Sequence, residues 1–110
     1  MKQFKLNDLI EWMDENPDKE VHFGHPTIDP TYPVKNYCLM CSFFSDVLDD
    51  ENFKYVSWDG RIAQNREGDK IAEIELPKSI SDVHLEIETH DEGHVYVKQI
   101  KDRMIVKNWI

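Results

Sequence analysis

Apolar positions recur along this chain at two different periods, and the switch from one to the other divides it. Over residues 6–16, Leu6, Leu9, Ile10 and Met13 return every three or four positions with Trp12 on the flank, the spacing of an amphipathic helix. Asn7 is the expected N-cap, and Asp8 and Glu11 suit the positive end of the helix dipole. Asn16-Pro17 ends the helix, because the residue before a proline is pushed out of the α region. A short strand follows over 20–23, with Val21 and Phe23 on one face.

Residues 25–36 carry Pro26, Pro30 and Pro33, which excludes a central strand there. The run 37–44 is apolar and aromatic and predicts a buried strand. An acidic connector with room for a helical turn spans 45–52. Beyond it the pattern alternates, punctuated by turns. Strands 54–58 and 61–65 flank Asp59-Gly60, a strong hairpin signal. Arg66-Glu67-Gly68-Asp69 turns the chain into 70–76, where Ala72, Ile74 and Leu76 oppose Ile71, Glu73 and Glu75. Strands 83–89, 94–100 and 104–109 complete the set, joined by turns at Asp91-Glu92-Gly93 and Lys101-Asp102-Arg103. The expected fold is a single α+β domain over 1–110, with an N-terminal helix packed on a mostly antiparallel β-meander sheet.

Charge changes this picture more than any motif does. The 110 residues hold 22 Asp and Glu against 13 Lys and Arg, a formal net charge of -9. Phosphate contacts need cations, so nucleic acid is disfavoured as a direct partner, as is an anionic membrane surface. No apolar run approaches the ~20 residues that span a bilayer. Met1-Lys2-Gln3-Phe4-Lys5 leads straight into the helix pattern with no signal peptide, so the expected location is cytoplasmic. Cys38 and Cys41 are too close together to staple the fold and suit a reducing compartment.

Strand alternation places Glu73 with Glu75, and Glu86 with Glu88, on one face of their strands. Were the two strands neighbours, four carboxylates would gather, a surface suited to a Lys/Arg-rich groove. The alternative is ordinary pairing with Lys98, Arg103 and Lys107. Asp46, Asp49, Asp50 and Glu51 could extend such a surface, since carboxylates offer Arg and Lys the paired oxygens that phosphate offers. Their spacing is not that of an EF-hand loop. Exposed aromatics, Tyr96 or Trp58, could anchor a contact.

Three other chemistries have candidate residues in the chain. A zinc set of Cys38, Cys41, His90 and His94 has usable spacing, and His22-x-x-His25 offers further nitrogen ligands. The apolar run around the cysteines lacks the turn residues of a zinc knuckle, so no metal or cofactor is expected. Tyr32, Tyr37, His22 and His25 could rim a pocket for a nucleotide-like ligand, with Lys35, Lys54, Arg61 and Arg66 as the nearest cations for its phosphates. Catalysis would need a nucleophile in a recognisable turn or a phosphate loop, and the chain has no Gly-x-Ser-x-Gly or His-Glu-x-x-His. The expectation is not an enzyme. The last segment, 104–110, could form an exposed edge strand that pairs with a second copy.

The opening Leu6-Asn7-Asp8-Leu9-Ile10-Glu11-Trp12-Met13, then Asn16-Pro17-Asp18-Lys19-Glu20-Val21-His22-Phe23, resembles the start of small phage and prophage proteins, a helix, a Pro-Asp turn and a strand. The resemblance covers the first fifth of the chain. It implies a phage origin, and by analogy of size, charge and source an inhibitor of a host defence protein, of the anti-CRISPR or DNA-mimic kind. The basic surface of a host nucleic-acid-binding protein is then the expected partner.

Overall fold

The computed structural model describes residues 1–22, 39–48, 52–57, 59–78, 80 and 94–109. Strand β1 (Lys2–Phe4) leads directly into helix α1 (Leu6–Glu15). The N-cap lies two residues before the expected one. Lys5 is the N-cap, and the Asp8 carboxylate accepts its backbone N–H at 2.8 Å. Asn7 lies inside the first turn. At the other end the Asn16 side chain donates to the Trp12 carbonyl at 2.8 Å, satisfying a carbonyl that has no helical partner. Leu9, Trp12 and Met13 are buried. Strand β2 (Glu20–His22) follows the Pro17 corner as expected.

The largest correction concerns residues 37–44. Helix α2 (Leu39–Leu48) stands where a buried strand was expected. Leu39, Met40, Cys41, Ser42, Phe43, Phe44 and Leu48 are all buried, so the helix is covered on nearly every side. Such a helix has almost no polar face and therefore little visible period. Periodicity alone does not separate it from a core strand. Its Phe43 and Phe44 stand edge-on to Phe4, with ring centroids 5.4 and 6.2 Å away, and Trp12 meets Phe43 at 5.8 Å.

Strands β3 (Tyr55–Val56) and β4 (Ile62–Gln64) form the expected hairpin about Asp59-Gly60, with Tyr55 opposite Gln64. Gly60 has φ +79°, and a β-carbon there would collide with Ile80 and lie 3.0 Å from Met40 Cγ. Strand β5 (Lys70–Ile74) returns beside β4 through the second expected turn. The sheet is not a simple antiparallel meander. Its order is β1-β5-β4-β3, and β1 pairs with β5 in parallel. A parallel neighbour needs a long crossover, which no local turn signal announces. Ala63 and Ala72 are opposed and fully buried. With Ile74 they join the one apolar cluster that also holds α1 and α2 side chains.

Strand β6 (His94–Tyr96) pairs antiparallel with β2 in a separate ribbon. It passes without a loop into helix α3 (Val97–Val106). Two expected strands, 94–100 and 104–109, are thus a three-residue strand and a helix, and the Lys101-Asp102-Arg103 turn is mid-helix. Val97, Ile100 and Met104 are fully buried at helical spacing. The first amides of α3, at Val97 and Lys98, donate to the carbonyls of Lys19 and Pro17 at 2.9 and 3.0 Å. At the other end Asn108 takes φ +63°, Trp109 N–H reaches the Met104 carbonyl and Asn108 N–H the Ile105 carbonyl. This is the Schellman ending, with asparagine in the left-handed position. Trp109 folds back into the core, so the segment expected as an exposed edge is a capped helix end. Among the described residues the sheet edges are β1 and β3. The strand expected over 83–89 and the proline-bearing segment 25–36 lie outside the described residues.

Candidate binding surface

The carboxylates singled out in the sequence fall into different structural roles. Glu73 sits on β5 between β1 and β4, neither of which carries an acidic residue. It accepts from Gln3 Nε2 at 3.1 Å and pairs with Lys70 Nζ at 2.6 Å. Glu75 is exposed just past the strand, and its backbone N–H donates to the Phe4 carbonyl at 3.1 Å. Gln3, Phe4 and Lys5 face Glu73, Ile74 and Glu75 across a shallow groove of about 270 Å³. Asp46, on α2, accepts Trp12 Nε1 at 2.9 Å and Lys19 Nζ at 2.8 Å. The Lys19 ammonium lies 5.4 Å from the Trp12 ring centroid. One carboxylate thus ties α2 to α1 and to the corner leading into β2. Asp49, Asp50, Glu51, Glu86 and Glu88 lie outside the described residues.

The other candidates divide similarly. His25, Tyr32, Tyr37, Cys38, Trp58 and His90 lie outside the described residues. Cys41 is a buried residue of α2, away from the strand setting expected for it. Backbone register places His22 of β2 opposite His94 of β6. Arg61 pairs with Asp59 at 3.1 Å inside the hairpin turn. There the Ser57 hydroxyl, donating at 2.6 Å, together with the Arg61 N–H and guanidinium, holds the Asp59 carboxyl below its ordinary range. Among the fully described side chains no group of three His, Cys, Asp or Glu residues could hold a metal ion. No helix among the described residues is long and apolar enough to cross a membrane.

A different acidic surface emerges from α1. Asp8, Glu11 and Glu15 are exposed at helical spacing, with Asp14 and Asp18 beside them. Burial of Leu9, Trp12 and Met13 forces these residues outward together. Two of the five are tied to α3: Asp14 pairs with Lys101, and Asp18 with Lys98 at 3.1 Å. Asp14 lies on α1 and Asp18 in the corner after it, so the start of α3 lies against the C-terminal end of α1. Asp102, next to Lys101 on α3, is also exposed. Glu11, Glu15 and Asp102 engage no cation among the described residues. The signal for this stripe was present in the helical spacing of residues 8, 11, 15 and 18. No family model matches the chain, and neither a curated protein nor a solved structure matches it.

Proposed function

We propose that this is a non-enzymatic binding protein that offers negative potential to a basic surface on another protein. The observation that carries the reading is the α1 face, where Glu11 and Glu15 stand exposed and meet no cation among the described residues. Against a net charge of -9, such a face speeds encounter with a cationic partner and fixes its orientation. The phage-type opening of the chain supports a phage-encoded inhibitor acting in the host cytoplasm. It would occupy the nucleic-acid-binding surface of a host defence protein by occlusion or DNA mimicry. Glu75 extends the same potential from the end of β5, whereas Asp46 and Glu73 serve the fold.

The test is binding to an Arg/Lys-rich probe peptide, titrated against salt. Affinity is expected to fall steeply as ionic strength rises, because exposed charges are screened within about 10 Å at 0.1 M salt. The double substitution Glu11→Lys and Glu15→Lys is expected to weaken binding at least about tenfold, with stability held within about 0.5 kcal/mol. Affinity that ignores both salt and these substitutions would overturn the reading.

A further inference from the structure

Residues two apart in an extended segment share a face, and that rule sorts the end of the β1–β5 pair. Phe4 packs on Phe43 and Phe44, and Ile74 is buried. Gln3 and Glu73 therefore hold the opposite, outer face. Lys5 keeps an extended backbone, and the Glu75 N–H bonds the Phe4 carbonyl, so the pairing runs one step past both strands. That step sets Lys5 beside Glu75 on the outer face. These four residues, with Phe4 and Ile74, line the groove of about 270 Å³.

The two rows of the groove differ. Gln3 and Glu73 are joined at 3.1 Å, and Glu73 also holds Lys70 Nζ at 2.6 Å, so the charge of Glu73 is already compensated. Lys5 and Glu75 are exposed, and their side chains form no ion pair with each other or with another described residue.

We infer that this groove binds a free α-amino acid, with its carboxylate on Lys5 Nζ and its ammonium on the Glu75 carboxylate. The lining offers one available charge of each sign. A simple cation would be repelled by Lys5 and a simple anion by Glu75, whereas a zwitterion is attracted by both. Hydrogen bonds between ionised partners are the strong ones. Direct closure of Lys5 on Glu75 competes weakly, because an exposed ion pair is worth little. Size agrees with this ligand class. Pockets for drug-sized ligands run to about 300–1,000 Å³, and the groove lies just below that range, so its occupant is small. The site rests neither on the α1 face nor on the acidic-surface reading.

Titration of L-alanine into the isotope-labelled full chain, followed by amide chemical shifts, tests it. Saturable shifts are expected at Gln3, Lys5, Glu73 and Glu75, with one alanine per chain. Alaninamide lacks the carboxylate and N-acetylalanine lacks the ammonium. Each is expected to bind at least about tenfold more weakly than alanine. Lys5→Gln and Glu75→Gln are each expected to weaken alanine binding to the same degree. The double variant Glu11→Lys and Glu15→Lys is expected to bind alanine as the wild type does, so failure of the acidic-surface reading would leave this one standing. No saturation by alanine, or equal binding of the two blocked forms, overturns the inference. Alanine binding that survives both groove substitutions does the same. If either groove variant unfolds, the blocked ligands on the wild-type chain decide alone.

Discussion

Asp46 and Glu11 are both acidic, both exposed and both on helices, yet they do opposite things. Asp46 projects from a helix with almost no polar face, and its oxygens are spent on Trp12 Nε1 and Lys19 Nζ. Glu11 belongs to an amphipathic helix whose whole outer side is polar, and it engages no cation among the described residues. The difference shows that acidity in a sequence does not measure available negative potential. A carboxylate beside a buried element is recruited to finish that element's hydrogen bonding. One on a solvent-facing stripe keeps its field for something else. Asp59 and Glu73 belong with Asp46, each held by neighbours on its own hairpin or strand. Glu15 and Asp102 belong with Glu11.

Removing a carboxylate of the first kind costs the fold, and the largest loss is expected at Asp46. Asp46→Ala is expected to lower unfolding stability by about 1–2 kcal/mol in urea titration, because a charge-assisted bond to a largely buried indole disappears. A loss no larger than that of Glu11→Ala would erase the distinction between the two carboxylates. The Asp59 turn sharpens it through pH. Its folded carboxyl is held below the ordinary value of 3.8, so its contribution is complete above that value and is lost as pH falls through the folded one. The stability gap between wild type and Asp59→Asn is therefore expected to be widest near neutral pH and to close below pH 3.8. A gap that widens on acidification would contradict the hydrogen-bonded turn. Glu73→Gln is the smallest case. Its ion pair is partly exposed and keeps a neutral hydrogen-bonding replacement, so a change within about 0.5 kcal/mol is expected. A larger loss would move Glu73 from accessory to structural.

The two glycine turns show how far the sequence could be read. Asp59-Gly60 and Glu67-Gly68 both announce hairpins, and both glycines take positive φ. Gly68 has open space about it, so its local role was fully legible. Gly60 also packs against Ile80 and Met40, a demand that no turn rule contains. The same division holds elsewhere. Helix α1, strand β2, the hairpins and the inward face of β5 followed from short-range pattern. Strand β1 was missed because three residues pairing in parallel leave neither a turn nor a sustained alternation. In α3, the stretch from Val95 to Val97 alternates like a strand, while Val97, Ile100 and Met104 already keep helical spacing. Contact with the Pro17–Lys19 corner supports the helical outcome by satisfying its first amides.

By itself, then, the chain determined an α+β domain with a strong negative charge, an amphipathic first helix and two glycine turns. These are consequences of neighbours within a few residues of one another, where side-chain period and backbone permissiveness act directly. Only the tertiary structure decided that residues 39–48 are helical, that β1 lies beside β5, which carboxylates are tied and which stand apart, and that β2 pairs with β6. Each of those outcomes depends on partners tens of residues away. Burial on all sides erases a helix's period, and strand register is set by the partner strand across the ladder.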